Sequence, residues 1–152
     1  MYKLKSEIIE KIQHYHKQVY ELYLSLYKKS EDPKVKEMLS QLYQQEIFRE
    51  KYLEKHKKVA KALNSWLFYP SNKIQNNISE CLSRLKIKKS NLTVNDVAEI
   101  ELHFDNCLIQ LYEALSSEEG NNGNVTNIFY YMINKTKLED KNLQEKLAEL
   151  LI

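Results

Sequence analysis

Apolar residues recur every three or four positions over four long segments of this chain, and polar residues fill the positions between them. Such spacing gathers apolar side chains on one side of an α-helix. The second segment, from Pro33 to Leu63, shows the pattern over its full length. Its inward face is predicted to carry Val35, Leu39, Leu42, Glu46, Arg49, Leu53, His56 and Ala60. The sequence therefore predicts a long second helix whose apolar stripe is interrupted in the middle by two charged residues.

Three other helices are predicted from the same spacing and from helix-start signals. The first is predicted from Ser6 to Lys29, and Asp32, followed by a proline, is predicted to cap the second. The third is predicted to start at Thr93, because Thr93 and Asp96 match a capping box. The fourth is predicted to follow a loop from Gly120 to Gly123 and to continue towards the C-terminus.

The connections between these helices differ in length. Short turns join the first helix to the second and the third to the fourth, so each pair is expected to fold back antiparallel. Residues 64–92 form a connection long enough to run the length of a bundle. Its aromatic segment, Trp66 to Pro70, is expected to seal one end of the core. A short helix is predicted after a cap at Ser71 or Asn72. The fold class is therefore all-α, with residues 1–152 as a single domain of two helical hairpins joined by a crossover.

Composition supports long helices and argues against nucleic acid and membranes as partners. The chain has two Gly and two Pro in 152 residues, so turns are few. Its 23 basic and 21 acidic residues are interspersed, which is typical of a solvated helical surface. No apolar run has the length of a transmembrane span or of a signal-peptide core. We therefore expect no nucleic-acid partner and no membrane contact.

Two further features bear on cellular location and assembly. Cys81 and Cys107 have no metal-pair spacing, so we expect reduced thiols in a cytoplasmic protein. The predicted first helix carries more aromatic and aliphatic surface than one bundle interior needs. Exposed patches of that kind usually mark a contact, so we expect self-association as a homodimer.

The helical pattern resembles the ferritin-like superfamily, and its rubrerythrin-type members in particular. Tyr20, Tyr23, the turn from Lys28 to Pro33 and the run from Leu42 to Glu46 resemble a rubrerythrin helix pair approaching its metal motif. This likeness covers residues 13–56, and the rest of the chain matches in architecture only. The resemblance implies a ferritin-like four-helix bundle with a long crossover, which includes a short extra helix, between helices two and three. Family members bind two iron or manganese ions with a Glu on helices one and three and Glu-x-x-His on helices two and four.

The resemblance carries over only in part to the residues of this chain. Glu46 and Glu101 match the carboxylates of helices two and three, whereas Arg49 replaces the histidine of the helix-two motif. The implied core polar cluster is Gln13, Glu46, Arg49, Glu101, Thr136 and Glu139. In it, Gln13 falls at or next to the helix-one position, and Thr136 and Glu139 replace the Glu and the His of helix four. The di-metal site is therefore expected to be incomplete.

Two interpretations of this cluster remain open. In the first, Glu46, Glu101, Glu139 and His16 hold iron or manganese, since three carboxylates and an imidazole can ligate either metal. In the second, Arg49 fills the vacated space and neutralises Glu46, with Glu101 or Glu139 close by. An arginine cannot itself ligate a cation, so the sequence favours the second interpretation, without a cofactor.

Three functions are compatible with these residues. The favoured one is a non-catalytic structural or interaction module with a ferritin-like fold, in which no catalytic residue is assigned. The second is an iron- or manganese-binding oxidoreductase, of the di-iron or peroxidase type, or an iron-handling protein with unusual ligands. The third is a carrier that binds a small ligand between its helices.

Overall fold

The computed structural model describes residues 1–70, 78–84, 87, 90–118 and 124–150, without the side chains of residues 78, 79, 124–127 and 150. Its elements in chain order are β1 Tyr2–Leu4, α1 Lys5–Lys29, α2 Pro33–Ala62, β2 Trp66–Phe68, α3 Ile78–Arg84, α4 Val94–Ser116 and α5 Asn124–Leu150. The expectation of a mostly helical protein is confirmed. The cap predicted at Ser71 or Asn72 and the loop predicted from Gly120 to Gly123 lie outside the described residues. Within the described part of the chain, no helix has the apolar length that a bilayer crossing requires.

The caps predicted for α2 and α4 are both confirmed. The side chain of Asp32 accepts a hydrogen bond from the backbone N–H of Lys34 at 2.9 Å, at the start of α2. At the start of α4, the backbone N–H of Asp96 donates to Thr93 Oγ1 at 3.1 Å, and the N–H of Thr93 donates to Asp96 Oδ2 at 2.9 Å. These bonds pair backbone donors that the first helical turn leaves free, and so they fix where each helix begins.

Contacts between the long helices establish their relative directions. Along α1 and α2, Tyr20 packs against Tyr43 while Gln13 donates to Glu54, so the two helices are antiparallel. Helix α4 is also antiparallel to α1. Tyr15 contacts Phe104 and Tyr23 contacts Glu101, so residue numbers rise along α1 while those of their partners fall along α4. Helices α2 and α4 are therefore parallel to each other, which requires the connection between them to return along the molecule.

The two strands were not predicted from the sequence. β1 and β2 pair antiparallel, with Tyr2 opposite Phe68, Lys3 opposite Leu67 and Leu4 opposite Trp66. The chain reaches β2 through Asn64, whose φ of 50° lies in the left-handed region that asparagine tolerates. The expectation that the segment from Trp66 to Pro70 seals one end of the core is met in part, because Leu67 and Pro70 are buried and Tyr69 packs against the core. Strand alternation buries Leu67 and leaves Trp66 half exposed.

The apolar face of α1 is almost entirely used inside the molecule. Its buried apolar residues are Ile8, Ile9, Ile12, Tyr15, Val19, Tyr23 and Leu26. Of the large apolar side chains on this helix, Leu24 and Tyr27 remain about one third exposed. The apolar surplus on which the dimer prediction rests is thus smaller than the sequence suggested, and the homodimer stays a prediction.

The expectation of two reduced thiols is wrong. Cys81 on α3 and Cys107 on α4 form a disulfide with Cα atoms 6.5 Å apart. The ring of His103 also lies 3.0 Å, through Nε2, from the backbone oxygen of Cys81. Residues 26 apart in sequence give no local pattern, so their proximity follows from the packing of α3 on α4 and could not be read from spacing.

Reduction of this disulfide is expected to destabilise the fold. A bond that closes a loop between residues 26 apart is expected to stabilise the folded chain by about 2–4 kcal/mol, by restricting the unfolded chain. Urea unfolding with and without dithiothreitol measures the loss. The Cys81→Ser/Cys107→Ser variant serves as the control, because it should show the lower stability and no response to the reductant. Equal stability of the oxidised and reduced protein would contradict a structural role for the bond.

Candidate functional site

The polar residues on α2 and α4 lie one helical turn apart and face the interior. Glu46 and Arg49 are separated by three residues on α2, and Glu101 and Asp105 by four residues on α4. Both spacings keep the two side chains of a helix on one face. All four are buried, and Arg49 is only 1% exposed. The two helices therefore bring three carboxyl groups and one guanidinium together in the core.

The guanidinium of Arg49 is the centre of this group. Its Nη1 donates to Asp105 Oδ1 at 2.6 Å, to Glu46 Oε1 at 2.7 Å and to Glu101 Oε1 at 3.3 Å. Its Nη2 donates to Asp105 Oδ2 at 3.2 Å, which makes the pairing with Asp105 bidentate. Arg49 Nε lies 3.5 Å from Glu139 Oε1 on α5. We name Glu46, Arg49, Glu101, Asp105 and Glu139 the Arg49 cluster.

Side chains of α1 hold the remaining oxygens of the two glutamates. His16 Nδ1 lies 2.5 Å from Glu46 Oε2, and Tyr23 Oη donates to Glu101 Oε2 at 2.5 Å. Both oxygens of Glu46 and both oxygens of Glu101 therefore have protein partners. The cluster is connected in this way to three of the long helices, and through Glu139 to the fourth.

Burial and charge pairing shift the pKa values of the carboxyl groups in different directions. Burial acts to raise the pKa of Glu46, but Arg49 and His16 outweigh it and lower that pKa to about 2. Burial, together with Asp105 and Glu46, raises the pKa of Glu101 well above its ordinary value. The contact of Glu101 with Arg49, at 3.3 Å, is also longer than the contacts of Arg49 with Glu46 and with Asp105.

Burial also raises the pKa values of two carboxyl groups of α5 at the edge of the cluster. Burial and a hydrogen bond with Asp105 raise the pKa of Asp140 to about 9. Burial also raises the pKa of Glu139, although Arg49 acts against it. The cluster therefore limits its negative charge by keeping some acids protonated, because a single guanidinium cannot neutralise all of them in a poorly solvated core.

The cluster does not fit a metal ion while Arg49 is present. Oxygens of Glu46, Glu101 and Asp105 lie within 4.8 Å of one another, close enough to share an ion. However, Arg49 Nη1 lies within 3.3 Å of all three carboxyl groups, in the space where such an ion would bind. Arginine stays protonated in proteins, so a divalent cation would meet a fixed positive charge there.

Most of the residues predicted for the cluster are brought together, and one is not. Glu46, Arg49 and Glu101 meet directly, Glu139 approaches from α5, and His16 joins through Glu46. Thr136 is buried. Gln13 lies outside the cluster, because its amide donates to Glu54 at 2.5 Å and to Glu50 at 3.4 Å on α2.

Three participants were missed by the sequence reasoning. Asp105 lies four residues after Glu101, on the same helical face, and that spacing was the available signal. Tyr23 was one of the residues that resemble a rubrerythrin helix pair, but nothing marked its hydroxyl as a partner of Glu101. Asp140 follows Glu139 directly and is not on the heptad stripe, so only packing shows that it reaches Asp105.

Comparisons with models of known protein families, with curated proteins and with solved structures found no match to this chain.

Replacing Arg49 with alanine is expected to lower the free energy of unfolding by about 3–5 kcal/mol, because it leaves buried carboxylates without their counter-charge. Urea denaturation at neutral pH measures the loss. Arg84→Ala is the matched control. Arg84 lies on the surface of α3, 3.1 Å from the exposed Glu80, where an ion pair contributes about 0–1 kcal/mol. Equal effects of the two substitutions would contradict the role assigned to Arg49.

Replacing Asp140 with asparagine is expected to stabilise the protein increasingly as pH rises. The folded chain raises the pKa of Asp140 to about 9, so it binds more protons than the unfolded chain from about pH 4 upwards. The stability that the protonated carboxyl contributes is therefore lost progressively as pH approaches 9, and an uncharged amide does not lose it. Urea unfolding of the parent and of Asp140→Asn across this range measures the effect.

The control for this pH series is Glu145→Gln, which removes an exposed carboxylate of the same helix. Its stability difference from the parent should stay small and nearly constant with pH. A pH-independent difference for Asp140→Asn as well would show that Asp140 has an ordinary pKa in the folded protein.

Proposed function

We propose that this chain is a ferritin-like helical bundle in which the guanidinium of Arg49 takes the place of the metal ions, and that it acts as a non-catalytic structural or interaction module. One observation carries the proposal. Arg49 Nη1 lies within hydrogen-bond distance of carboxyl groups from both α2 and α4, including Glu46 and Glu101, which the resemblance assigns to the metal carboxylates of helices two and three. The negative charge of the carboxylates that could hold a metal ion is thus paired with the guanidinium of Arg49.

The directions of the helices support the ferritin-like arrangement. α1 and α2 form one antiparallel hairpin, and Lys137 of α5 reaches back to Glu113 of α4 in the second. α2 and α4 run parallel, as a single long crossover between two hairpins requires. A short helix, α3, lies in that crossover, where the resemblance places an extra helix.

The charge of Arg49 supports a metal-free function. Two unit charges of the same sign about 4 Å apart repel by ~4 kcal/mol at the effective dielectric typical of proteins, and a divalent ion doubles that cost. The same carboxyl oxygens already form short bonds to the guanidinium, which an ion would have to displace. Metal binding would therefore have to overcome both the repulsion and the loss of these bonds.

One observation favours a second candidate function, iron or manganese binding. His16 is fully buried, and its Nε2 has no hydrogen-bond partner among the described residues. A buried imidazole nitrogen without a hydrogen-bond partner is a potential metal ligand. The other nitrogen, Nδ1, already contacts Glu46, and the carboxyl oxygens that lie close enough to share an ion are those of Glu46, Glu101 and Asp105. This candidate requires the side chain of Arg49 to leave its present position.

The cysteines no longer support the prediction of a cytoplasmic location. It was expected because both cysteines were taken as free thiols, whereas Cys81 and Cys107 are bonded. Structural disulfides persist in oxidising compartments and are rare in the cytosol. The proposed function therefore rests on the fold and on the Arg49 cluster. It does not rest on a cellular compartment.

Metal analysis of the parent and of Arg49→His tests the proposal directly. We expect the parent, purified without chelator and dialysed against iron(II) or manganese(II), to retain no stoichiometric metal. Arg49→His removes the fixed charge and restores Glu-x-x-His on α2, so it is expected to retain metal at a measurable fraction of a site per chain. Elemental analysis by mass spectrometry provides the measurement.

Arg84→His is the matched control, because it adds a histidine at the other arginine of the chain, on the surface of α3. It should bind no more metal than the parent. Stoichiometric metal in the parent would contradict the proposal and favour the iron- or manganese-binding alternative. Absence of metal in a folded Arg49→His would show that the cluster is not a former metal site.

A further inference from the structure

The outward face of the β1–β2 ribbon consists of apolar and aromatic side chains. Residues directly opposite in an antiparallel pair share a face, so Tyr2, Phe68, Leu4 and Trp66 lie together on one side. The other side carries Leu67, which is buried. Tyr2 is 61% exposed and Trp66 51% exposed. The ribbon therefore presents a continuous apolar face to its surroundings.

The end of α2 extends this face. Val59 is 57% exposed and Leu63 is 71% exposed, both just before the turn into β2. The turn holds this end close to the ribbon, since Ser65 N–H donates to the oxygen of Ala60 and Lys5 N–H donates to the oxygen of Ser65. Contiguous apolar surface of this kind on a folded protein usually marks a binding site.

The segments that carry this surface are basic in sequence. Residues 1–11 and 51–69 together contain eight lysines and three glutamates, a net charge of +5, whereas the whole chain has +2. The lysines are close enough to affect their neighbours. Burial lowers the pKa of His56, and Lys5 and Lys55 lower it further. Burial and Lys11 likewise lower the pKa of Lys3. A partner with negative charge would relieve this repulsion.

We propose that the ribbon and the last turn of α2 dock on an anionic lipid surface. Tyr2, Leu63 and Trp66 would enter the interfacial region, where tryptophan and tyrosine are favoured, and the exposed lysines at the end of α2, Lys58 and Lys61, would face lipid phosphates. Long lysine side chains suit this arrangement, because their stems pack on apolar surface while the ammonium reaches outwards. Each lysine near an anionic bilayer contributes about 1 kcal/mol to such binding.

The charge and the residue types favour lipid over the two other occupants. A second copy would bring two surfaces of net charge +5 face to face, which repel each other. A nucleic acid would use the aromatic rings and the lysines, but the exposed aliphatic side chains of Val59 and Leu63 have no use in stacking on bases. A bilayer uses all three kinds of side chain, aromatic, aliphatic and basic.

Trp66 makes this proposal directly measurable, because it is the only tryptophan of the chain. The probe is a set of vesicles of phosphatidylcholine mixed with phosphatidylglycerol, compared with vesicles of phosphatidylcholine alone. We expect the mixed vesicles to shift the Trp66 emission to the blue, and brominated acyl chains to quench it. The protein should sediment with the mixed vesicles only. Binding should weaken strongly in about 1 M salt, where the Debye length falls to ~3 Å.

Charge variants locate the contact. Lys58 and Lys61 are exposed at the end of α2, and replacing both with glutamine is expected to lower the partition coefficient about 30-fold, at ~1 kcal/mol per lysine. Lys28→Gln/Lys29→Gln is the matched control, since it removes two exposed lysines at the opposite end of α1. It should bind like the parent. Leu63→Ser should weaken binding without loss of stability, because the side chain is exposed.

Four results would overturn the proposal. These are no change in Trp66 emission with mixed vesicles, equal binding to phosphatidylcholine alone, equal weakening by the control pair of lysines, and a blue shift that depends on protein concentration or on a single-stranded oligonucleotide instead of on vesicles. The last result would assign the surface to a second copy or to a nucleic acid. None of these outcomes depends on the Arg49 cluster, which lies in the interior.

Discussion

The guanidinium of Arg49 is a permanent positive charge in the interior of a helical protein, and the surrounding structure has to compensate for it. Removing such a charge from water is costly, and the cost is met only by close, well-directed partners. Here Nη1 and Nη2 together form four hydrogen bonds, to Glu46, Glu101 and Asp105. Since these partners come from two different helices, the charge can be satisfied only when α2 and α4 are packed in one particular register.

The acidic residues around Arg49 outnumber it, so their negative charges would repel one another if all of them were ionised. Their surroundings shift the pKa values of chemically similar groups in opposite directions. Glu46, between Arg49 and His16, has its pKa lowered to about 2, while burial and neighbouring acids raise the pKa of Glu101. Glu101 accepts hydrogen bonds from both Arg49 and Tyr23, so it joins α4 to α2 and to α1.

Local sequence signals predicted the parts of this structure that depend on local chemistry. Helix periodicity and the caps at Asp32 and Thr93 gave the long helices nearly to the residue, because a capping side chain acts within three positions. The inward placement of Glu46, Arg49 and Glu101 followed from the same periodicity. Whether those residues serve a metal or replace one does not follow from periodicity, and it remains a proposal.

The features that the sequence did not predict all depend on distant contacts. The ribbon pairs residues 2–4 with residues 66–68, so neither three-residue strand carries a signal by itself. The disulfide and the contact of Asp140 with Asp105 likewise join separate elements. The distribution of charge also depends on the fold. Its average along the chain is nearly balanced, whereas the fold gathers lysines from both ends of the first hairpin at one place.

The position of Arg49 also changes how the core depends on its surroundings. A metal ion that joins helices is in exchange with solution, so the structure it supports varies with the amount of free ion and with competing chelators. The cation of this core is a side chain of α2 and cannot dissociate. Its concentration at the cluster is fixed by the covalent chain, so the positive charge that links α2 to α4 does not exchange with solution.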